Sequence, residues 1–290
     1  MVHDSPYILN RSDENDIKQE TCRLDFQHHF FDDMMNNELL PPHITGQLAA
    51  NRSPRVCEIA TGSAIWLRQL ARILPVSAEL VGLDFDTSKF PEPEELPSNI
   101  RLGFGDAYKP FPDEYRERFD VVHLRHFYIA SKKDHGIFLV RNLLSLLRPG
   151  GWLVWAEASA ILANAQPPSE ALFLFQKVFY SYLDRTTDTN LPLAMASYMR
   201  QAGLVECDDR SYNCGSLLFG PKGSDWLARE HFEFFDTLKK ISEGMLAKGD
   251  VDGMQTQQDL DELVAKLKED ISGNRRCHVP IIRAWGRKPS

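Results

Sequence analysis

The residues with chemistry to offer stand at the ends of short apolar segments. Val56-Cys57-Glu58-Ile59-Ala60-Thr61-Gly62-Ser63-Ala64-Ile65-Trp66-Leu67 reads as a buried strand, a tight turn of small residues and the opening of a helix. Such a turn presents backbone N–H groups at a helix N-terminus and lets a polar ligand approach the main chain. It lacks the Gly-x-x-x-x-Gly-Lys-Ser/Thr pattern of a phosphate loop, and Ala64 and Leu67 fall where a dinucleotide fingerprint needs glycine. Asp84 ends the next apolar segment, 22 residues after Gly62, near the spacing at which a carboxylate accepts hydrogen bonds from ribose hydroxyls. Read this way, it is an unpaired carboxylate at an open edge, and removing it costs ligand affinity and little stability. Asp106, His126 and Glu157 follow three later apolar segments, and His126 and Glu157 are the candidate proton acceptors for a phenol or enol. Each residue also has a structural reading: Asp84 and Asp106 as cap or turn residues, Glu157 as a buried, paired carboxylate. His28 and His29 read as packing histidines on an amphipathic helix, and no metal-ligand cluster is evident.

The elements that must position these residues alternate between strand and helix. Strands are expected at Arg55–Ala60, Glu79–Asp84, Asn99–Gly103, Phe119–Leu124 and Trp152–Trp155, with helices over Ser63–Leu74 and Asp134–Leu147. That rhythm is the mark of a parallel, doubly wound α/β sheet, whose ligands lie past the carboxyl ends of the strands. Helices over Ser12–Asn37 and Ile44–Ala50 precede it. After Glu157 the pattern becomes helical: an aromatic-rich helix over Ser169–Leu183, then Leu193–Ala202, Ser224–Leu246 and Gln257–Ile271, with strands Leu204–Tyr212 and Val279–Trp285. The aromatic helix suits a lid or a homodimer face, although an aromatic stripe at helical spacing is more often core. The expected organisation is a helical segment over 1–52, a core over 53–162, a helical cap with a sixth strand over 163–256, and a closing helix and strand over 257–290.

Acidic residues outnumber basic ones by 41 to 33, giving a formal net charge of −8, which disfavours a nucleic-acid or anionic-membrane surface. The 43% hydrophobic content suffices for a sizeable core. The five cysteines are scattered, with no Cys-x-x-Cys spacing, which fits a reducing, cytoplasmic setting and a small-molecule partner.

The turn at Glu58, Ala60, Gly62 and Ala64 resembles motif I of class I S-adenosylmethionine (SAM) dependent methyltransferases, an acidic residue followed by alternating glycines, with alanine here at the outer two glycine positions. Gly105-Asp106-Ala107, Phe119-Asp120-Val121-Val122 and Leu147-Arg148-Pro149-Gly150-Gly151 are similar to later motifs of that family, in the same order. Tyr7, Arg23-Leu24-x-x-Gln27-His28, Phe119 to Arg125, Trp152 to Glu157 and Gly286-Arg287-Lys288-Pro289 narrow the resemblance to methyltransferases of fungal secondary-metabolite clusters and the related velvet-complex regulators. The resemblance implies a Rossmann-like fold with a mostly parallel seven-stranded sheet. It also implies SAM or S-adenosylhomocysteine (SAH) held by Glu58, Ala60, Gly62, Asp84, Phe85, Asp106, Ala107 and Arg125. The implied activity is methylation of a small secondary metabolite, at oxygen before nitrogen or carbon. Two alternatives stand beside it: a pericyclase or isomerase that keeps the cofactor without methylating, and a regulatory binding subunit acting through an exposed apolar face on Ser169–Leu183.

Overall fold

The structure, a computed structural model, describes residues 14–159, 162, 164–213, 239, 242–247, 249, 253–272 and 276–290. Its strands are β1 (Arg55–Ile59), β2 (Glu79–Asp84), β3 (Ile100–Phe104), β4 (Phe119–Arg125), β5 (Leu147–Ala158), β6 (Asn164–Gln166), β7 (Val205–Tyr212), β8 (Arg276–His278) and β9 (Ile281–Arg287). Seven of them form one sheet in the order β3-β2-β1-β4-β5-β9-β7, and β6 and β8 pair as a separate antiparallel ribbon. β1 to β5 run parallel, β9 runs antiparallel to β5, and β7 antiparallel to β9. β1 and β4 are buried at all but one position each, the composition a strand needs when helices cover both faces. Strand order reverses at β1, so a crevice opens past the carboxyl ends of β1 and β4.

The helices are α1 (Glu14–Met34), α2 (Pro42–Ala50), α3 (Ile65–Leu70), α4 (Gly136–Leu144), α5 (Glu170–Thr186), α6 (Leu191–Gln201) and α7 (Gln257–Ser272). On one face Ile44, Leu48, Trp66, Leu67 and Leu70 from α2 and α3 pack on Val56, Leu80, Val121 and Val154. α1 continues that layer, laying Phe30, Phe31 and Met34 over Ala156 and Ile281. On the other face Leu139, Val140, Leu143, Met195 and Met199 from α4 and α6 meet Val122, Leu124, Leu153 and Trp155. Phe175, Val178, Phe179 and Leu183 of α5 enter this same core, while Phe173 is 71% exposed. Phe175 and Phe179 of the aromatic stripe are therefore core, and Phe173 is exposed. Among the described residues no helix is long and apolar enough to cross a membrane.

Three departures from the sequence reading have local causes. α3 ends at Leu70, and the chain closes tight turns through Arg72 and Ile73 before Pro75. β5 begins at Leu147, five residues ahead of Trp152, because Arg148–Gly151 form an irregularity in its pairing with β4 between Phe119 and Val121. Gly151 permits it, since a Cβ there would stand 2.9 Å from the Phe119 carbonyl oxygen. The β6–β8 ribbon was not foreseen, its strands being three residues each. The helix expected over Ser224–Leu246 lies largely outside the described residues, as do Tyr7 and Cys214.

Candidate functional site

The turn after β1 is built from alternate residues in the left-handed region: Ala60 at φ 56°, Gly62 at φ 56° and Ala64 at φ 57°. These are the positions at which glycine is favoured, and alanine there costs about 1–2 kcal/mol each. Strain of this kind persists only where the surroundings hold it, and it collects at ligand clamps. The clamp is visible. The Gly62 N–H donates to Asp84 Oδ2 at 2.8 Å, and the Asp86 N–H donates to Asp84 Oδ1 at 2.8 Å. Asp84 is thus buried and paired with two main-chain donors, which corrects its reading as an unpaired carboxylate. Burial lifts its pKa, opposed by Lys89 and those two amides. Each carboxylate oxygen has a second acceptor site left for a ligand hydroxyl.

Glu58 lies beneath the turn, 1% exposed, and its Oε2 accepts a 2.6 Å hydrogen bond from Thr61 Oγ1. Burial raises its carboxyl to about 7, against the pull of Arg125 and Thr61. It supports the turn from below.

α1 is strapped across this edge. Leu24 Cδ1 stands 3.3 Å from where a Cβ on Gly62 would lie, and Ser63 Oγ donates to Asp25 Oδ1 at 2.6 Å. Arg125 Nη1 donates to His28 Nδ1 at 2.6 Å, His28 Nε2 bonds Gln69 Oε1, and Gln69 Nε2 donates to Asp32 Oδ2 at 2.7 Å. The chain runs from a cation to a carboxylate through a neutral imidazole whose tautomer the Arg125 bond fixes. Burial first, then Arg125, push the His28 pKa down to about 2. Asp25, His28 and Asp32 are helix neighbours on one side of α1. That polar spacing among Phe26, Phe30 and Phe31 was the available signal for these residues, and the sequence reading took His28 as packing.

At the end of β4 the chain bends through His126, itself left-handed at φ 52°. The bend is held from β5: the His126 N–H donates to the Ala156 carbonyl at 3.0 Å, and the Phe127 N–H donates to Glu157 Oε1 at 2.7 Å. Trp155 Nε1 donates to the same oxygen at 2.7 Å. Burial raises the Glu157 carboxyl to about 7. Glu157 faces the α4–α6 side with Trp155, whereas Ala156 and Arg125 face α1, so the two candidate proton acceptors lie on opposite sides of the sheet. His126 packs 4.7 Å from the Phe31 ring, and burial, Arg125 and Arg23 hold its pKa well below the usual imidazole value.

The remaining predicted residues divide. Phe85 is 44% exposed, and its ring centroid is 5.8 Å from that of the exposed Phe104, giving an open aromatic pair beside Asp84. Asp106 Oδ1 accepts from the Tyr108 N–H at 2.9 Å, a turn-forming bond. Ala107 is buried, and its carbonyl accepts from Asn142 Nδ2 at 2.7 Å, so its side chain belongs to the core. Asp120 sits at the opposite end of the sheet, where it binds the Arg55 N–H at 2.7 Å and Arg148 Nε at 2.6 Å. The edge formed by the strained turn, Asp84, the Phe85–Phe104 pair and Arg125 suits a nucleoside joined to a zwitterionic amino acid: hydroxyl acceptors, an open aromatic surface and a buried guanidinium.

Comparison with known proteins bears on the family and the fold. Residues 28–187 match the family model described as a methyltransferase domain. The N-methyltransferase tcpN of Claviceps purpurea is 25% identical over 289 residues, covering 97% of this chain and 98% of its own. The methyltransferase grgD of a Penicillium species is 25% identical, covering 91% and 98%. The N-methyltransferase gliN of Aspergillus fumigatus is 30% identical over 53% of this chain and 50% of its own. Among solved structures, a complex of the Haloferax volcanii Trm112 methyltransferase activator with a methyltransferase aligns at TM-score 0.52 and 13% identity, covering 97% of this chain and 100% of that one, a likeness of fold.

Proposed function

The chain belongs to the methyltransferase-domain family as a SAM-dependent enzyme with relatives in fungal secondary metabolism, and from that premise we propose that it methylates an acidic hydroxyl of a small secondary metabolite. Bound SAM supplies an electrophilic methyl group on a sulfonium. In this reading Asp84 receives the ribose hydroxyls, Phe85 lies against the adenine, the Ala60–Ala64 turn approaches the amino-acid portion and Arg125 faces its carboxylate. Glu58 supports the turn. Asp106 and Ala107 shape the neighbouring loop.

The observation that carries the choice of oxygen is the setting of His126. Its imidazole is neutral, on the edge where strand order reverses, in the field of Arg125 and, more weakly, of Arg23, whose guanidinium is paired with the Glu20 carboxylate at 2.8 and 2.9 Å. The burial and positive field that hold the imidazole neutral also make it a weak base, so His126 suits a phenol or enol that is itself acidic, taking its hydrogen bond while the field of Arg125 favours the oxyanion. The same field opposes an ammonium. Alignment of that oxygen with the methyl group is then the chief demand on the protein. Glu157 acts as a positioning residue, holding the Phe127 amide and with it the bend that aims His126.

A second reading, nitrogen as the acceptor atom, is favoured by the names of the relatives tcpN and gliN, each an N-methyltransferase. An N–H acidic enough to pass through an anion would use the same base. The test is incubation with 13C-methyl SAM and a metabolite extract of the host. A labelled product with an ether or ester methyl carbon supports oxygen, an N-methyl signal supports nitrogen, and an isomer of unchanged mass would support the pericyclase alternative instead.

A further inference from the structure

We propose that the crevice beside Ala156 is a subsite for one oxygen atom of the acceptor, held by Arg283. The proposal rests on the methyl-transfer reading and adds a specificity residue to it. Arg125, Ala156 and Arg283 are directly paired across β4, β5 and β9, so their side chains share the face under α1. Ala156 is the small residue between two arginines. Its missing bulk leaves a crevice lined by Phe31, Met35, Ile281 and His126, with space for a single water-sized group.

The polar atoms around that space are short of partners. Arg283 is 1% exposed; its Nη1 donates to the Glu38 carbonyl at 2.6 Å and its Nη2 to Tyr212 Oη at 2.7 Å, yet its Nε has no hydrogen-bond partner. Glu38 Oε2 approaches the guanidinium only to 3.9 Å. Asp32 Oδ1, on another lining residue, is buried without a hydrogen bond, and His123 Nδ1 has only Glu58 Oε1 beside it at 3.4 Å. A buried N–H donor on a cation that lacks a close carboxylate is costly to leave unmade, and a buried polar orphan calls for a specific partner. A carbonyl or anionic oxygen is that partner for the Arg283 donor, while Asp32 Oδ1, an acceptor, is left for a donor such as the hydroxyl of the same molecule. The acceptor class is therefore a hydroxyl compound bearing a second oxygen close to the methylated one, as in an enolised dicarbonyl or an ortho-substituted phenol.

The experiment uses the full chain loaded with SAH and follows salicylate and benzylamine by calorimetry, with Ala156→Val and Arg283→Gln as variants. Ala156→Val fills the crevice without touching a hydrogen bond, so it decides the matter where Arg283→Gln does not fold. Salicylate is expected to bind the loaded parent, and Ala156→Val to weaken it by about tenfold or more with SAH affinity unchanged. Benzylamine is expected to bind neither. Failure of salicylate to bind the loaded parent, equal binding by Ala156→Val, or benzylamine binding as well as salicylate overturns the subsite. A parent that does not bind SAH overturns the methyl-transfer reading itself, a result read before salicylate is added.

Discussion

Asp84 Oδ2 receives the Gly62 N–H at 2.8 Å, so the carboxylate expected to meet a ribose also braces the strained turn it faces. Its second oxygen braces the Asp86 amide, and the side chain is 8% exposed. Asp84→Ala should therefore lose two charge-assisted bonds in the apo protein, a cost of about 3–6 kcal/mol by the usual worth of about 1.5–3 kcal/mol for each. Chemical denaturation without ligand measures that cost, and calorimetry with SAH measures the affinity loss. Asp84→Asn keeps one oxygen for Gly62 and should recover part of the stability but little of the affinity. An Asp84→Ala protein as stable as the parent would refute the brace.

Glu157 makes stability depend on pH in a direction opposite to that of a surface carboxylate. Its folded pKa is raised to about 7, above the unfolded value near 4.5, so between these values the folded state holds the proton more firmly. Its contribution is fully present below about 4.5 and is lost as pH rises through about 7. Glu58, raised to about 7 by its own burial, adds a slope of the same sign. Glu157→Gln, whose amide oxygen still accepts from Phe127 and Trp155, should flatten the unfolding free energy over this range. Denaturant midpoints at several pH values for parent and variant provide the check. An unchanged slope would show that Glu157 is not the titrating group.

Much of this edge was legible because its signals are local. A run such as Phe119-Asp120-Val121-Val122 reads as a strand from its β-branched and aromatic residues and its short length, and small residues after β1 mark a turn. Asp84 and His126 were singled out because strand ends in a doubly wound sheet converge. What could not be read was pairing over distance. Nothing in the string ties His28 to Arg125, or brings Arg283 beside Ala156, because those contacts depend on how α1 lies across the sheet and on the register of the antiparallel β9. The burial of the Ala107 side chain was hidden for a related reason: one residue along a turn separates the edge from the core.

The turn alanines give a third prediction. Ala60 is left-handed and partly buried, so Ala60→Gly relieves about 1–2 kcal/mol of conformational cost while adding about 0.5–1 kcal/mol of unfolded-chain entropy. A net gain of about 0.5–1 kcal/mol is expected in denaturation. Ala64 is equally left-handed but fully buried, and its methyl group repays about 0.8 kcal/mol of burial, so Ala64→Gly should be close to neutral. The ordering of the two variants is the measurement. A destabilised Ala60→Gly would mean that its Cβ holds the turn through packing.

The last prediction concerns the contact between Gly62 and α1. Gly62→Ala suffers twice: its φ of 56° lies in the left-handed region, and the new Cβ would stand 3.3 Å from Leu24 Cδ1, closer than ordinary contact. The backbone part, about 1–2 kcal/mol, cannot be relieved by any change in α1. The contact part can, because Leu24 lies at the far end of a side chain that can be shortened. In a double-mutant cycle, Leu24→Ala should cost some packing alone, and in the Gly62→Ala background it should cost less by about 0.5–1 kcal/mol. That coupling energy reports directly that α1 lies over the turn. Cofactor affinity adds a second readout: if α1 covers the bound ligand, Leu24→Ala should speed SAH dissociation more than it slows association, as surface plasmon resonance resolves. Strict additivity of the two substitutions, with unchanged dissociation, would mean that α1 does not seat on this turn in solution.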